Sequence, residues 1–331
     1  REQNKPDEME AYMNSIGSSV SVSELDESYW EKASALYYDK KDCEAAAPEM
    51  KKYIDKFPDG KYIVEAHFCY AECVYSKGEY ANALPSYKFI LTKPRNIHTE
   101  IALAKSAYML YKDKKYGDAL PLYMQLQDAA ETSQNKLAAK LGAMRCAFQV
   151  QMYEECVSEC NKVLTTEKLS QNQMVEAHQL KARSLYELNR RDEAIADLNY
   201  LVKNAKSEAG AEAHYYLAMI HFQKKELKET EKSINNLIGY TYSNNDWNTK
   251  GMILMSDVYA ERKEYANAEA VLQSVIENAD KAEYIDIAKQ KLQEIKDKQQ
   301  QRIQEEKPKD DMQIQFQNKG NDILLEQGTD T

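Results

Sequence analysis

The side chains best equipped for metal or nucleophilic chemistry in this 331-residue chain are five histidines and six cysteines, and their spacing argues against both uses. Cys69 and Cys73 lie four residues apart, as do Cys156 and Cys160, which puts each pair on one face of a helix. None forms a C-x-x-C pair or follows zinc-finger spacing. Buried free thiols are the expected state, because free cysteine packs as a small hydrophobe. His67, His178 and His214 each stand sixteen residues ahead of a recurring small residue, in a column that also holds Trp30, Leu103 and Met252. That company marks them as packing residues. His214 and His221 are seven apart, with no third ligand at metal spacing. The chain has no H-E-x-x-H, no G-x-S-x-G, no phosphate-cradling glycine loop and no Rossmann fingerprint. No catalytic residue, cofactor or metal is expected.

The elements that would carry any other site are repeated. KGEYANALPSYKFI from Lys77, KKYGDALPLYMQL from Lys114 and KEYANAEAVLQSV from Lys263 are variants of one phrase. Anchored on its alanine, the phrase places Ala46, Ala83, Ala119, Cys156, Ala194, Thr230 and Ala268 in register, at spacings of 37, 36, 37, 38, 36 and 38. Twelve residues earlier the column reads Ser34, Ala71, Ala107, Met144, Ala182, Ala218 and Ser256. Four residues after the anchors come Met50, Tyr87, Tyr123, Cys160, Leu198, Ile234 and Leu272; apolar residues or Tyr53 follow at seven. Offsets of 0, +4 and +7 share one helix face. Each phrase is therefore the second helix of a hairpin, and the small residues twelve earlier let a first helix approach closely. One hairpin cannot bury its own stripe; stacked neighbours can.

These columns resemble the tetratricopeptide repeat family across roughly residues 27–280. Trp30, Tyr37, Ala46 and Pro58 match its pattern most fully, followed by Ala71, Gly78, Tyr80, Ala83 and Tyr87. The period exceeds the family's usual length, and Cys156 and Thr230 depart from the alanine. The resemblance implies an all-α, right-handed α-α superhelix of about seven helical hairpins plus a C-terminal cap helix. The expected organisation is a flexible lead over 1–26, repeats over 27–280, a cap helix over 281–298 and a disordered tail over 299–331. Within that tail MQIQFQ (312–317) alternates like a strand. Pro48, Pro85 and Pro121 each fall two residues after an anchor, which implies either a shared bend or a late start to the second helix.

In the family, the end of the first helix borders a concave groove, and here it carries aromatic residues. Eight ahead of the anchors stand Tyr38, Tyr75, Tyr111, Phe148, Tyr186 and Phe222, then Ala260. Three earlier again come Ala35, Glu72, Tyr108, Arg145, Arg183, Met219 and Asp257. Read as a groove, Tyr75, Tyr108, Tyr111, Arg145, Phe148, Arg183, Tyr186 and Phe222 would grip a partner protein or peptide. The two guanidinium groups would favour acidic residues near the groove centre. The competing reading is that the rings pad neighbouring helices and the arginines are a solvated pair. No repeat has the lysine and asparagine clamp of the family's chaperone-binding members.

Composition narrows the partner. A net charge of −10 without a basic stripe disfavours nucleic acid. No apolar run nears the roughly 20 residues needed to span a bilayer. The implied function is a non-catalytic interaction scaffold. A regulatory or accessory subunit of an enzyme and a glycan- or lipid-binding envelope protein are the alternatives. KYIDKFPDGKYIVEAHF (52–68) is similar to the repeats of bacterial envelope proteins, which favours a periplasmic or outer-membrane-associated setting over a cytoplasmic one. Because the chain opens on Arg1 and not Met, the expectation is that the true start, with any signal or lipid anchor, lies upstream.

Overall fold

The structure is a computed structural model that describes residues 5–16 and 21–305, and all regular structure among them is helical. The helices are α1 Pro6–Ser15, α2 Val22–Ser34, α3 Cys43–Lys56, α4 Ile63–Ser76, α5 Tyr80–Leu91, α6 Thr99–Lys112, α7 Tyr116–Ala129 and α8 Ser133–Gln149. They continue as α9 Tyr153–Leu164, α10 Gln171–Glu187, α11 Arg191–Asn204, α12 Glu208–Gln223, α13 Leu227–Ile238, α14 Asn245–Glu261, α15 Tyr265–Asn278 and α16 Ala282–Glu305. α2 runs on into a π-helical turn, Ala35–Asp39. Contacts divide the chain after Ala194 into an N-terminal and a C-terminal unit. In the first unit α4 packs on α5, α6 on α7 and α8 on α9, and the first helices touch in series, α6 with α8 and α8 with α10. The second unit repeats this with α12 on α13, α14 on α15, α12 along α14 and α14 along α16.

One backbone device builds the hairpins. Lys41, Gly78, Lys114, Gln151, Asn189, Lys225 and Lys263 all adopt left-handed backbone, with φ between 52° and 79°. Each stands five residues ahead of an anchor. In the last six of these turns the left-handed residue donates its N–H to the carbonyl three back, as Lys114 does to Tyr111. The next residue donates to the carbonyl five back, as Lys115 does to Leu110. This is a Schellman cap. It closes the first helix, and the second begins almost at once. The first turn differs: Asp42 reaches six back to Leu36, across the π-helical turn.

The turns bring the predicted columns together. The anchors are all buried, and so are all seven residues at +4 and all seven at +7. Of the small residues twelve earlier, only Ser34 escapes full burial. Pro48, Pro85 and Pro121 each occupy the sixth position of α3, α5 and α7, so the second helices do not start late. Each proline deprives the carbonyl four residues back of its helical donor. Those carbonyls belong to Glu44, Ala81 and Gly117, which are exposed, so water can serve them.

Three expectations need correction. The segment read as a flexible lead contains α1, whose Asp7 and Glu10 both accept from the Tyr29 hydroxyl, at 2.6 and 3.0 Å. The same carboxylates pair with Lys52 and Lys56. Docking is polar, and only Pro6 of this helix is buried, so no apolar period announced it. α2 also starts at Val22, where a Ser21–Glu24 capping box closes its first turn. Second, Cys43 and Cys73 form a disulfide between the start of α3 and the end of α4, while Cys69, Cys146, Cys156 and Cys160 stay free and buried. Third, α16 covers the stretch read as a cap helix but runs past Lys298 to Glu305. MQIQFQ lies outside the described residues.

Two measurements test these features. Lys114→Gly should raise stability in urea by ~0.5–1 kcal/mol and Gly78→Ala should lower it by ~1 kcal/mol, because side chains disfavour left-handed backbone. A loss on Lys114→Gly would contradict the shared turn. Thiol titration of the denatured, unreduced protein should find four free cysteines; six would rule out the Cys43–Cys73 bond.

Candidate functional site

The aromatic column is tied into its own hairpins. Tyr75 packs on Tyr80, Tyr111 on Tyr116 and Phe148 on Tyr153, with ring centroids 5.0, 5.3 and 6.1 Å apart. Each such contact bridges one left-handed turn. Tyr75 and Tyr111 also meet Tyr87 and Tyr123 edge-on. Tyr186 lies beneath the Arg191 guanidinium and Phe222 beneath the Lys225 ammonium. All five of these first-helix rings are half-buried, each padding its hairpin while part of the residue stays in solvent. Phe222 belongs to the C-terminal unit and the other seven candidate residues to the N-terminal one.

The arginines do not stand as a free pair. Arg145 on α8 grips Glu176 on α10 side-on, Nε to Oε1 at 2.6 Å and Nη2 to Oε2 at 2.6 Å. These hydrogen bonds raise the arginine's pKa further, so it stays charged, but its charge is matched inside the fold. Arg183 lies over the Phe148 ring, 4.7 Å from its centroid. The expectation of two guanidinium groups presented to an acidic partner is therefore corrected at Arg145. Sequence could not show the pairing, because Glu176 sits in a different repeat column.

Three of the candidates, Tyr108, Tyr111 and Arg145, meet around one cleft. It lies between α6, α7 and α8, measures about 300 Å³, and is also lined by Tyr123, Leu126, Leu141 and Gly142. Its origin is visible one repeat earlier. There the Tyr87 hydroxyl donates to Glu72 at 2.5 Å, and Lys105 holds both oxygens of Glu72 at 2.6 and 2.7 Å. The Lys105 ammonium lies 4.3 Å above the Tyr75 ring. Advance every position by one repeat and Tyr87 becomes Tyr123, Tyr75 becomes Tyr111, Glu72 becomes Tyr108 and Lys105 becomes Gly142. The carboxylate and the lysine stem that fill the junction are gone. What remains is a cleft.

Tyr123 shows the effect of that loss. Its ring lies on Gly142 so closely that an added Cβ would sit 2.5 Å from three ring carbons. Its hydroxyl has no hydrogen-bond partner among the described residues, although only 8% of the residue is exposed. Burial pushes its pKa upward, so it remains a neutral phenol. In the other unit Tyr240 lies over Gly210 in the same way, but its hydroxyl donates to the Ala205 carbonyl. Cys146, close to Tyr123, is pushed up to about 12 by burial and stays a thiol, which makes it no nucleophile. At the mouth, Tyr108 is 40% exposed.

A family model described as tetratricopeptide repeat matches residues 180–231. The apo form of RapI superimposes with a TM-score of 0.51 at 12% identity, over 78% of this chain and 79% of that one. Residues 180–231 carry the tetratricopeptide repeat (TPR) signature, and the stacked hairpins on either side have the fold of such repeats. The C-terminal part of a TPR repeat-containing protein from Cytophaga hutchinsonii aligns with a TM-score of 0.49 and 13% identity, over 78% of this chain and 98% of that one. A tetratricopeptide repeat protein from Parabacteroides merdae covers 80% of this chain and 98% of its own, with a TM-score of 0.37 and 17% identity. At such low identity the RapI likeness speaks to the helical fold alone. No curated protein matches the sequence.

Within this TPR-like fold α6 and α8 are the first helices of successive pairs, and the cleft opens between them. In the sequence Tyr123 stands in a packing column, and Gly142 belongs to none of the recurring columns. The signal that would have found both is the exchange of Lys105 for glycine at the equivalent position. Removal of each hydroxyl distinguishes the two junctions. Tyr87→Phe should cost ~1–3 kcal/mol in urea denaturation, since it loses a hydrogen bond to a carboxylate. Tyr123→Phe should change stability by less than ~0.5 kcal/mol. Equal costs would mean that the Tyr123 hydroxyl is satisfied inside the fold.

Proposed function

We propose that this TPR-like protein is a non-catalytic scaffold that receives a partner protein or peptide on the first-helix face of its N-terminal unit. The observation that carries the reading is the α6–α8 cleft, where the ion pair that fills the preceding junction is replaced by a tyrosine and a glycine. Partly buried rings supply rigid contact area at small entropic cost. Tyr75, Tyr108, Tyr111 and Phe148 offer that kind of surface along successive pairs. With Arg145 neutralised by Glu176, the reading moves from an acidic partner to an uncharged one.

An extracytoplasmic setting fits the same picture. Disulfides persist in oxidising compartments and are rare in reducing ones, and the Cys43–Cys73 bond joins two neighbouring helix pairs. The similarity of residues 52–68 to envelope repeats points the same way. Together these favour a periplasmic or outer-membrane-associated setting, and a part in bacterial envelope assembly is the role proposed there.

A photocrosslinking residue in place of Tyr108 should trap a polypeptide partner in the cells that make the protein. The same residue in place of Lys228, an exposed position of the other unit, should not. Equal yields from the two positions would defeat the proposal.

A further inference from the structure

We infer that the α6–α8 cleft takes one large apolar side chain of an extended, uncharged peptide segment, whose adjoining backbone carbonyl accepts from the Tyr123 hydroxyl and from Nη1 of Arg145. This rests on the scaffold reading above and names the chemistry of what that scaffold holds.

Size sets the first limit. A cavity of about 300 Å³ lies at the lower end of ligand sites, enough for one bulky side chain and too small for a folded element. Its walls are the faces of Tyr108 and Tyr111, with Leu126 and Leu141 buried behind them. Such a lining favours an aromatic or branched aliphatic group.

Polar groups set the second. The Tyr123 hydroxyl, on a residue more than nine-tenths buried, makes no hydrogen bond to the described residues and opens on the cleft, so a ligand that displaces water there must supply an acceptor. Arg145 commits Nε and Nη2 to Glu176 and leaves Nη1 for a ligand. Both groups donate, so the ligand must accept.

Charge decides between acceptors. The Glu176 carboxylate cancels Arg145, Lys105 is held by Glu72, and Asn135 donates to Glu100 at 2.5 Å. A carboxylate or phosphate entering the cleft would find no unmatched cation, whereas an amide carbonyl needs none. Tyr108, partly in solvent at the mouth, leaves room for a chain to continue across α6 and α8. A peptide meets all of these conditions.

The test uses the full chain and blocked nonapeptides of glycine and serine whose central residue is Phe, Leu, Ala or Glu, with binding followed by calorimetry. The Phe or Leu peptide should bind at least ~10-fold tighter than the Ala peptide, and its affinity should hold as salt is raised. Tyr123→Phe should weaken it ~3–10-fold at unchanged melting temperature. Ala138→Trp, from an exposed position on the cleft wall, should abolish it; Ala104→Leu fills the opposite wall if that variant folds poorly. Preference for the Glu peptide, or steep salt dependence, would overturn the uncharged ligand. Indole binding as tightly as the Phe peptide would make the occupant a free small molecule and overturn the peptide. Binding indifferent to both filling variants would remove the cleft as the docking place but leave the scaffold reading intact. Failure of every peptide also overturns the cleft assignment, whereas the scaffold reading stands or falls on crosslinking from Tyr108.

Discussion

Everything in this fold depends on where each first helix stops. A residue in left-handed backbone five positions before every anchor ends that helix, turns the chain and starts the next helix in a fixed phase. Only Gly78 among the seven is the residue type that suits this backbone without strain. The others are four lysines, a glutamine and an asparagine, long or polar side chains that stay in solvent while the backbone does the work. Once the phase is set, the small residues of the first helix must face the anchors of the second. The buried columns follow from the turn.

Because the backbone is the same at successive junctions, differences in side chains become directly interpretable. The Glu72–Lys105 bridge and the cleft around Tyr123 occupy equivalent places, and two positions separate them. The same comparison explains why Tyr87 has a partner for its hydroxyl and Tyr123 has none among the described residues. Neighbouring repeats act as internal controls for one another.

This also shows how much of the structure can be read in the chain. The hairpins and their core are legible because close helix contact restricts residue types at fixed offsets, so Ala83, Ala119 and Ala268 recur with the turn. Tyr108, Tyr111 and Arg145 were legible as candidates because they sit in columns that open to the first-helix face. The rest is not carried by period. α1 docks through carboxylates on Tyr29, Lys52 and Lys56, which leaves no apolar stripe. The disulfide joins residues 30 apart in different helices. The Arg145–Glu176 pair spans two helix pairs. The cleft itself arises from what Gly142 lacks, and an absent side chain has no pattern of its own.

The Cys43–Cys73 bond has a mechanical consequence for such an array. Elements stabilised only by their neighbours unravel from the ends, one unit after another. A covalent link from the first residue of α3 to α4 ties the second helix of one pair to the first helix of the next. Pulled or heated, α1 and α2 can still detach because they precede Cys43, but α3 and α4 stay tethered to each other, and a reductant would free them to separate.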